Sequence, residues 1–156
     1  MGVHPLTRLA SGLDHARGLK VMVPDEAARR AFVDSVEVHI SPFQGYMWID
    51  DNKGRVVVSA DYLRNGEERG IFLDLVHELV HIRQHREGSD LWDETYAYVD
   101  RPTEVEAYRI AVEEARELGL DDEAICEYLH VPWVSAEEHA RLCKTLGVGY
   151  FPHHGE

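Results

Sequence analysis

The chain has 156 residues, 44% hydrophobic and 29% charged, enough apolar content for one buried core. Its 29 acids against 16 Lys and Arg leave a formal net charge of −13. That balance argues against a nucleic-acid binder and against a basic membrane-surface helix, because both need a surplus of cations. No apolar run approaches the roughly 18–20 residues that span a bilayer, and the first residues show neither a signal-peptide core nor a Ser or Thr at position 6 for myristoylation. Two cysteines, Cys126 and Cys143, are too few for a disulfide scaffold and wrongly spaced for a thiolate zinc knuckle. The expectation is a reduced, soluble, cytoplasmic protein with neither nucleic acid nor membrane as partner.

In chain order, residues 1–18 show no sustained period and read as an arm or a short helix. Leu19–Val23 is a short apolar run closed by Pro24, which predicts a strand. Pro24-Asp25-Glu26 then opens a helix running to about Asp34, with acids at the positive end of its dipole. Val36–Ile40 alternates as a half-buried strand does. Tyr46–Asp50 and Arg55–Ala60 are β-favouring runs joined by Asp51-Asn52-Lys53-Gly54, which has hairpin-turn chemistry. From about Asn65 the period becomes helical, with Ile71, Phe72, Leu75, Val76, Leu79 and Val80 on one apolar face, until Gly88-Ser89-Asp90. A second helix is expected from Asp100-Arg101-Pro102-Thr103 to about Leu118, then two shorter ones over Asp122–Leu129 and Ser135–Leu146. The result is one α+β domain over 1–156, with sheet and first long helix in 19–88 and a helical part in 89–156.

The long helix contains His77-Glu78-Leu79-Val80-His81. Two histidines four apart project from one helix face about 6 Å apart, so both imidazoles can reach one metal ion. At roughly 100° per residue they lie on the side of the helix away from the apolar face. Glu78, beside the first histidine, is placed to take a proton from water and pass it to a leaving amine. A catalytic zinc takes a third protein ligand. His85 is one turn too far along the same straight row and reads as a surface histidine. The next helix offers Glu104 and Glu106, about 200° apart, so at most one faces the metal. Tyr108, Ala111, Ala115 and Leu118 share the face of Glu104, and a carboxylate centred on an apolar face is costly to bury without a cation. Glu106 shares its side with Arg109, Glu113 and Glu117, and Thr103-x-x-Glu106 is a capping-box pattern. Glu104 is therefore the preferred ligand, with Glu106 as the alternative.

HELVH followed by Glu104 and, three residues on, Ala107 resembles the gluzincin branch of the zincin metallopeptidases, to which thermolysin belongs, over roughly Val36 to Leu118. The resemblance implies a zincin-like fold with a small mixed sheet. It implies Zn2+ held by His77, His81 and Glu104, and peptide hydrolysis by a metal-activated water with Glu78 as general base. The substrate would be a peptide or protein, paired along Arg55–Ala60 as the edge strand. The chain departs from the pattern at Tyr108, where many gluzincins carry an Asp that orients a metal-bound histidine. Tyr108 or Asp74 is expected to substitute. Glu87 stands where metzincins place a third histidine, which excludes that branch. Tyr96 and Tyr98 are candidates for stabilising the oxyanion, although packing is the simpler role for both. Packing is also expected for Trp48, Trp92 and Trp133, and for Cys126 and Cys143 as small buried hydrophobes. His153-His154 is expected at a frayed terminus. The reading from a different class is a zincin-fold metal-binding regulatory or interaction protein with little turnover, which would have no use for Glu78 as a base.

Overall fold

A computed structural model describes residues 2–152, so the expectation for His153-His154 lies outside the described residues. The chain begins with strand β1 (Gly2–Pro5) and helix α1 (Leu6–Leu9), a 3-10 turn at Leu13–His15, then α2 (Arg17–Met22) and α3 (Glu26–Ser35). Strands β2 (Glu37–Ser41), β3 (Met47–Asp50) and β4 (Arg55–Ser59) follow, then α4 (Ala60–Asn65) and the 19-residue α5 (Glu68–Arg86). After a long loop with a 3-10 turn at Tyr98–Asp100 come α6 (Pro102–Glu117), α7 (Asp122–Tyr128) and α8 (Ala136–Leu146). The architecture is α+β, with all four strands among the described residues in one mixed sheet.

The sheet order is β1-β2-β4-β3. β2 and β4 run parallel with Val38 opposite Val56, while β1 and β3 pair antiparallel on the outside. Of the segment expected as an arm or a short helix, Gly2–Pro5 form an edge strand and Leu6–Leu9 a short helix. Arg55–Ser59 is an inner strand, so the expectation that Arg55–Ala60 forms the edge is corrected. Both sides of β4 are hydrogen-bonded, to β2 and to its hairpin partner, and the edge on that side of the sheet belongs to β3.

Leu19–Val23 is also corrected, because most of that run lies in α2. Gly18 N donates to the buried Glu114 carboxylate at 2.9 Å, satisfying an orphan N–H of the first turn. The absent side chain at Gly18 lets α2 lie close to α6, since a Cβ there would sit 2.9 Å from Ile110 Cγ2. Tertiary contact thus overrides the strand-like composition.

α5 crosses between two apolar clusters. Val76, Leu79 and Val80 pack with Val38, Val56 and Val58 of the sheet. Leu73 joins the second cluster, built by Val112, Ala115, Ile125, Leu129 and Leu142 of α6, α7 and α8. Every residue from Leu75 to Ile82 is buried, so the side of α5 that carries the histidines is covered by protein rather than facing open solvent. α6 starts at Pro102, one residue before Thr103, with Arg101 as its N-cap. The expected capping box does not form. Thr103 Oγ1 is buried without a hydrogen bond, and Glu106 has other partners.

Candidate metal centre

The helical period of α5 sets His77 and His81 one turn apart, and α6 packs against that face with Glu104 in its first turn. The three side chains meet. His77 Nε2 and His81 Nε2 are 3.1 Å apart, His77 Nε2 lies 3.1 Å from Glu104 Oε2, and His81 Nε2 lies 3.0 Å from Glu104 Oε1. All three residues are buried. A tetrahedral ion with ligand bonds of about 2.0–2.1 Å holds its ligand atoms about 3.3 Å apart, and the observed triangle is within a few tenths of an ångström of that. Two imidazole nitrogens and a carboxylate aimed at one point are costly in the absence of a cation, and Glu104 Oε2 is buried without a well-formed hydrogen bond. The residues fit a divalent ion that prefers nitrogen and oxygen donors.

Electrostatics carry the same message. Burial alone would lower the basicity of His81, but the Glu104 carboxylate outweighs it and raises the imidazole to about 9. Burial alone would raise Glu104, yet the two imidazoles hold it well below the ordinary carboxylate range. Glu78 is shifted the other way: burial, opposed by His81 and assisted by Glu104 and Asp74, pushes its carboxyl up to about 8.

Glu106 does not join the cluster. It is half-exposed and accepts from Arg83 Nη2 and, at 2.8 Å, from Gln84 Nε2. Nor is His85 part of it. The groups around the histidines differ from expectation. His81 Nδ1 donates to Gln84 Oε1 at 2.7 Å, while the Gln84 amide nitrogen donates to Thr103 O and Glu106 Oε1. Neither Tyr108 nor Asp74 bonds an imidazole nitrogen. Tyr108 lies against the His77 ring, with centroids 4.2 Å apart, and its hydroxyl pairs with Tyr98 at 2.7 Å. Asp74 accepts from the hydroxyls of Tyr62 and Tyr128. The spacing of Gln84, three residues after His81, was the available sign of its role.

The cluster opens into a cleft of about 450 Å³ whose floor includes His77, Glu78, His81 and Glu104. One wall is formed by residues 44–49, the segment leading into β3 and most of that strand, and Trp48, Trp92 and Trp133 stand around it, all exposed. These tryptophans are rim residues, not core. A second cavity of about 250 Å³ continues past Tyr98 toward Asp74, Tyr62 and Tyr128. Tyr98 lines both spaces, whereas Tyr96 lines neither and is exposed. No helix among the described residues is long and apolar enough to cross a membrane. No protein-family profile matches the chain, and neither a curated protein nor a solved structure shows detectable similarity to it.

Proposed function

We propose that this chain is a zinc-dependent metallopeptidase of gluzincin type with a zincin-like fold. The observation that carries the reading is the triangle of His77, His81 and Glu104 ligand atoms, 3.0–3.1 Å on each side, on the floor of a cleft that Glu78 also lines. Zinc bound by these three would supply a Lewis acid that polarises a scissile carbonyl and makes water acidic near neutral pH.

The chain's own residues do the rest. Glu78 takes the proton of the attacking water and returns it to the leaving amine nitrogen. A carboxyl tuned toward neutrality by burial suits both transfers, and a dication beside it favours its charged, basic form. The β3 edge offers unpaired backbone groups along the cleft, so an extended peptide can add as a further strand. Tyr46, Met47, Leu91 and the three tryptophans supply apolar walls, which favour substrates with large apolar side chains. Gln84 fixes the His81 ring so that Nε2 faces the site.

The test is Glu78→Gln. The substitution preserves shape, so the variant is expected to retain its zinc while hydrolysis of a peptide library falls by roughly 10²–10⁴-fold. Wild-type activity in the zinc-loaded variant would exclude Glu78 as the proton carrier. A wild-type protein that holds zinc but cleaves nothing would favour a binding role on the same fold.

A further inference from the structure

We propose that Cys126, His139 and Cys143 form a second metal site, for a soft, thiophilic cation of the zinc class, separate from the histidine–glutamate centre. His139 and Cys143 sit one turn apart on a single face of α8, and Cys126 reaches them from α7. The two sulfurs are 3.8 Å apart and His139 Nε2 lies 3.5 Å from Cys126 Sγ. All three ligand atoms fall within 4.8 Å of one another. A tetrahedral ion with bonds of about 2.3 Å to sulfur and about 2.0 Å to nitrogen would set sulfurs about 3.8 Å apart and sulfur and nitrogen about 3.5 Å apart.

Two further features separate this group from ordinary core packing. All three side chains are at most 1% exposed within the apolar cluster of α6, α7 and α8, where a histidine is out of place unless satisfied. His139 is only half satisfied. Nε2, the ring nitrogen facing the Cys126 sulfur, donates its proton to the Cys126 carbonyl oxygen at 2.8 Å, while Nδ1 is buried with no hydrogen bond. The Cys126 sulfur lies 3.3 Å from Phe151 N and 3.5 Å from Phe151 O, so the backbone after α8 closes over it. Two sulfurs and one nitrogen select zinc over magnesium or calcium. On binding, both thiols lose their protons to solvent and become thiolates, and the His139 ring proton moves from Nε2 to Nδ1 so that Nε2 can ligate. Three protein donors leave one coordination position outside this set.

The experiment uses the full chain, reduced and untagged, loaded with Co2+ in place of Zn2+. Imidazole and carboxylate donors give cobalt only weak visible bands, whereas thiolate ligation adds an intense near-ultraviolet charge-transfer band. Wild-type protein is expected to show that band. Elemental analysis of Glu104→Ala, with the first centre disabled, should still find one zinc per chain, and Cys143→Ser in that background should reduce it to none. Wild-type protein without the charge-transfer band at saturating cobalt would overturn the proposal, and that result needs no variant to fold. So would a chain two hydrogens lighter before reduction and without the charge-transfer band after it, which marks the pair as a disulfide. Loss of the first site leaves this band in place, so the two metal assignments fail independently.

Discussion

His81 Nδ1 can donate to Gln84 Oε1 because the amide nitrogen of Gln84 is held elsewhere, by Thr103 O and Glu106 Oε1. The result is a relay from α6 back to α5 that fixes which ring nitrogen of His81 carries the proton and aims the other at His77 and Glu104. His77 lacks such a partner. Its Nδ1 is buried without a hydrogen bond, and the Tyr108 ring restrains it by contact alone. Gln84 is therefore the main polar restraint on the pair of imidazoles. Gln84→Met keeps the volume and removes both halves of the relay, so zinc affinity is expected to fall about 10- to 100-fold while the fold persists. Competition with a chromophoric chelator measures this, and an unchanged affinity would show that packing alone orients the rings. The histidines and Glu104 were legible in the sequence because helical periodicity decides which residues share a face. Gln84 was not, since its role depends on a carbonyl and a carboxylate supplied by another helix.

At the level of elements, the sequence misleads where a tertiary neighbour completes a local pattern. Arg17–Met22 contains a valine and an apolar run that suit a strand, yet Glu114 of α6 takes the Gly18 N–H, and the bare Gly18 backbone lies against Ile110 and Val76. Gly18→Ala is better for an isolated helix by about 1 kcal/mol. Here its Cβ would stand 2.9 Å from Ile110 Cγ2 and 3.3 Å from Ile110 O, and overpacking of this kind costs about 1–3 kcal/mol. A lower urea midpoint with an unchanged slope is expected, and stabilisation by the alanine would mean the two helices part without cost.

The edge strand was misassigned for a related reason. Hairpin chemistry around Gly54 is local and was readable, but which arm of the hairpin meets β2 is a matter of sheet order. A third element-scale contact joins the start of α7 to the segment after α8. Asp122 accepts from Gly149 N–H and from Arg116, each at 2.8 Å, and these bonds lower its carboxyl pKa below the ordinary 3.8. Because the folded value is the lower one, this contribution is complete above about pH 3.8 and is lost as pH falls through the depressed value. Asp122→Asn should therefore flatten the acid limb of a stability profile and speed amide exchange at Gly149 near neutral pH. Exchange at Gly149 as slow as in wild type would show that the carboxylate does not hold the segment.

Across the whole molecule, the candidate metal centre sits where the two apolar clusters meet. α5 contributes to both, and the ligands come from α5 and α6, so an ion bound there ties the sheet to the helical half. Unfolding separates His77 and His81 from Glu104, and the unfolded chain cannot present the same triangle. On the proposed assignment, zinc would bind the native state preferentially and stabilise it by mass action. At free zinc about 100-fold above its dissociation constant the gain is about 2.7 kcal/mol. For a chain of this size each kcal/mol moves the midpoint by about 2–4 °C, so wild-type Tm should rise by about 5–11 °C over chelator-stripped protein. Glu104→Ala keeps both histidines but opens the triangle, and most of that rise should vanish, whereas Glu78→Gln should keep it in full. The difference between wild type and Glu104→Ala isolates this centre from any zinc bound by the cysteines of α7 and α8. Equal zinc-dependent shifts in the two proteins would remove Glu104 from the ligand set and undo the assignment of the centre.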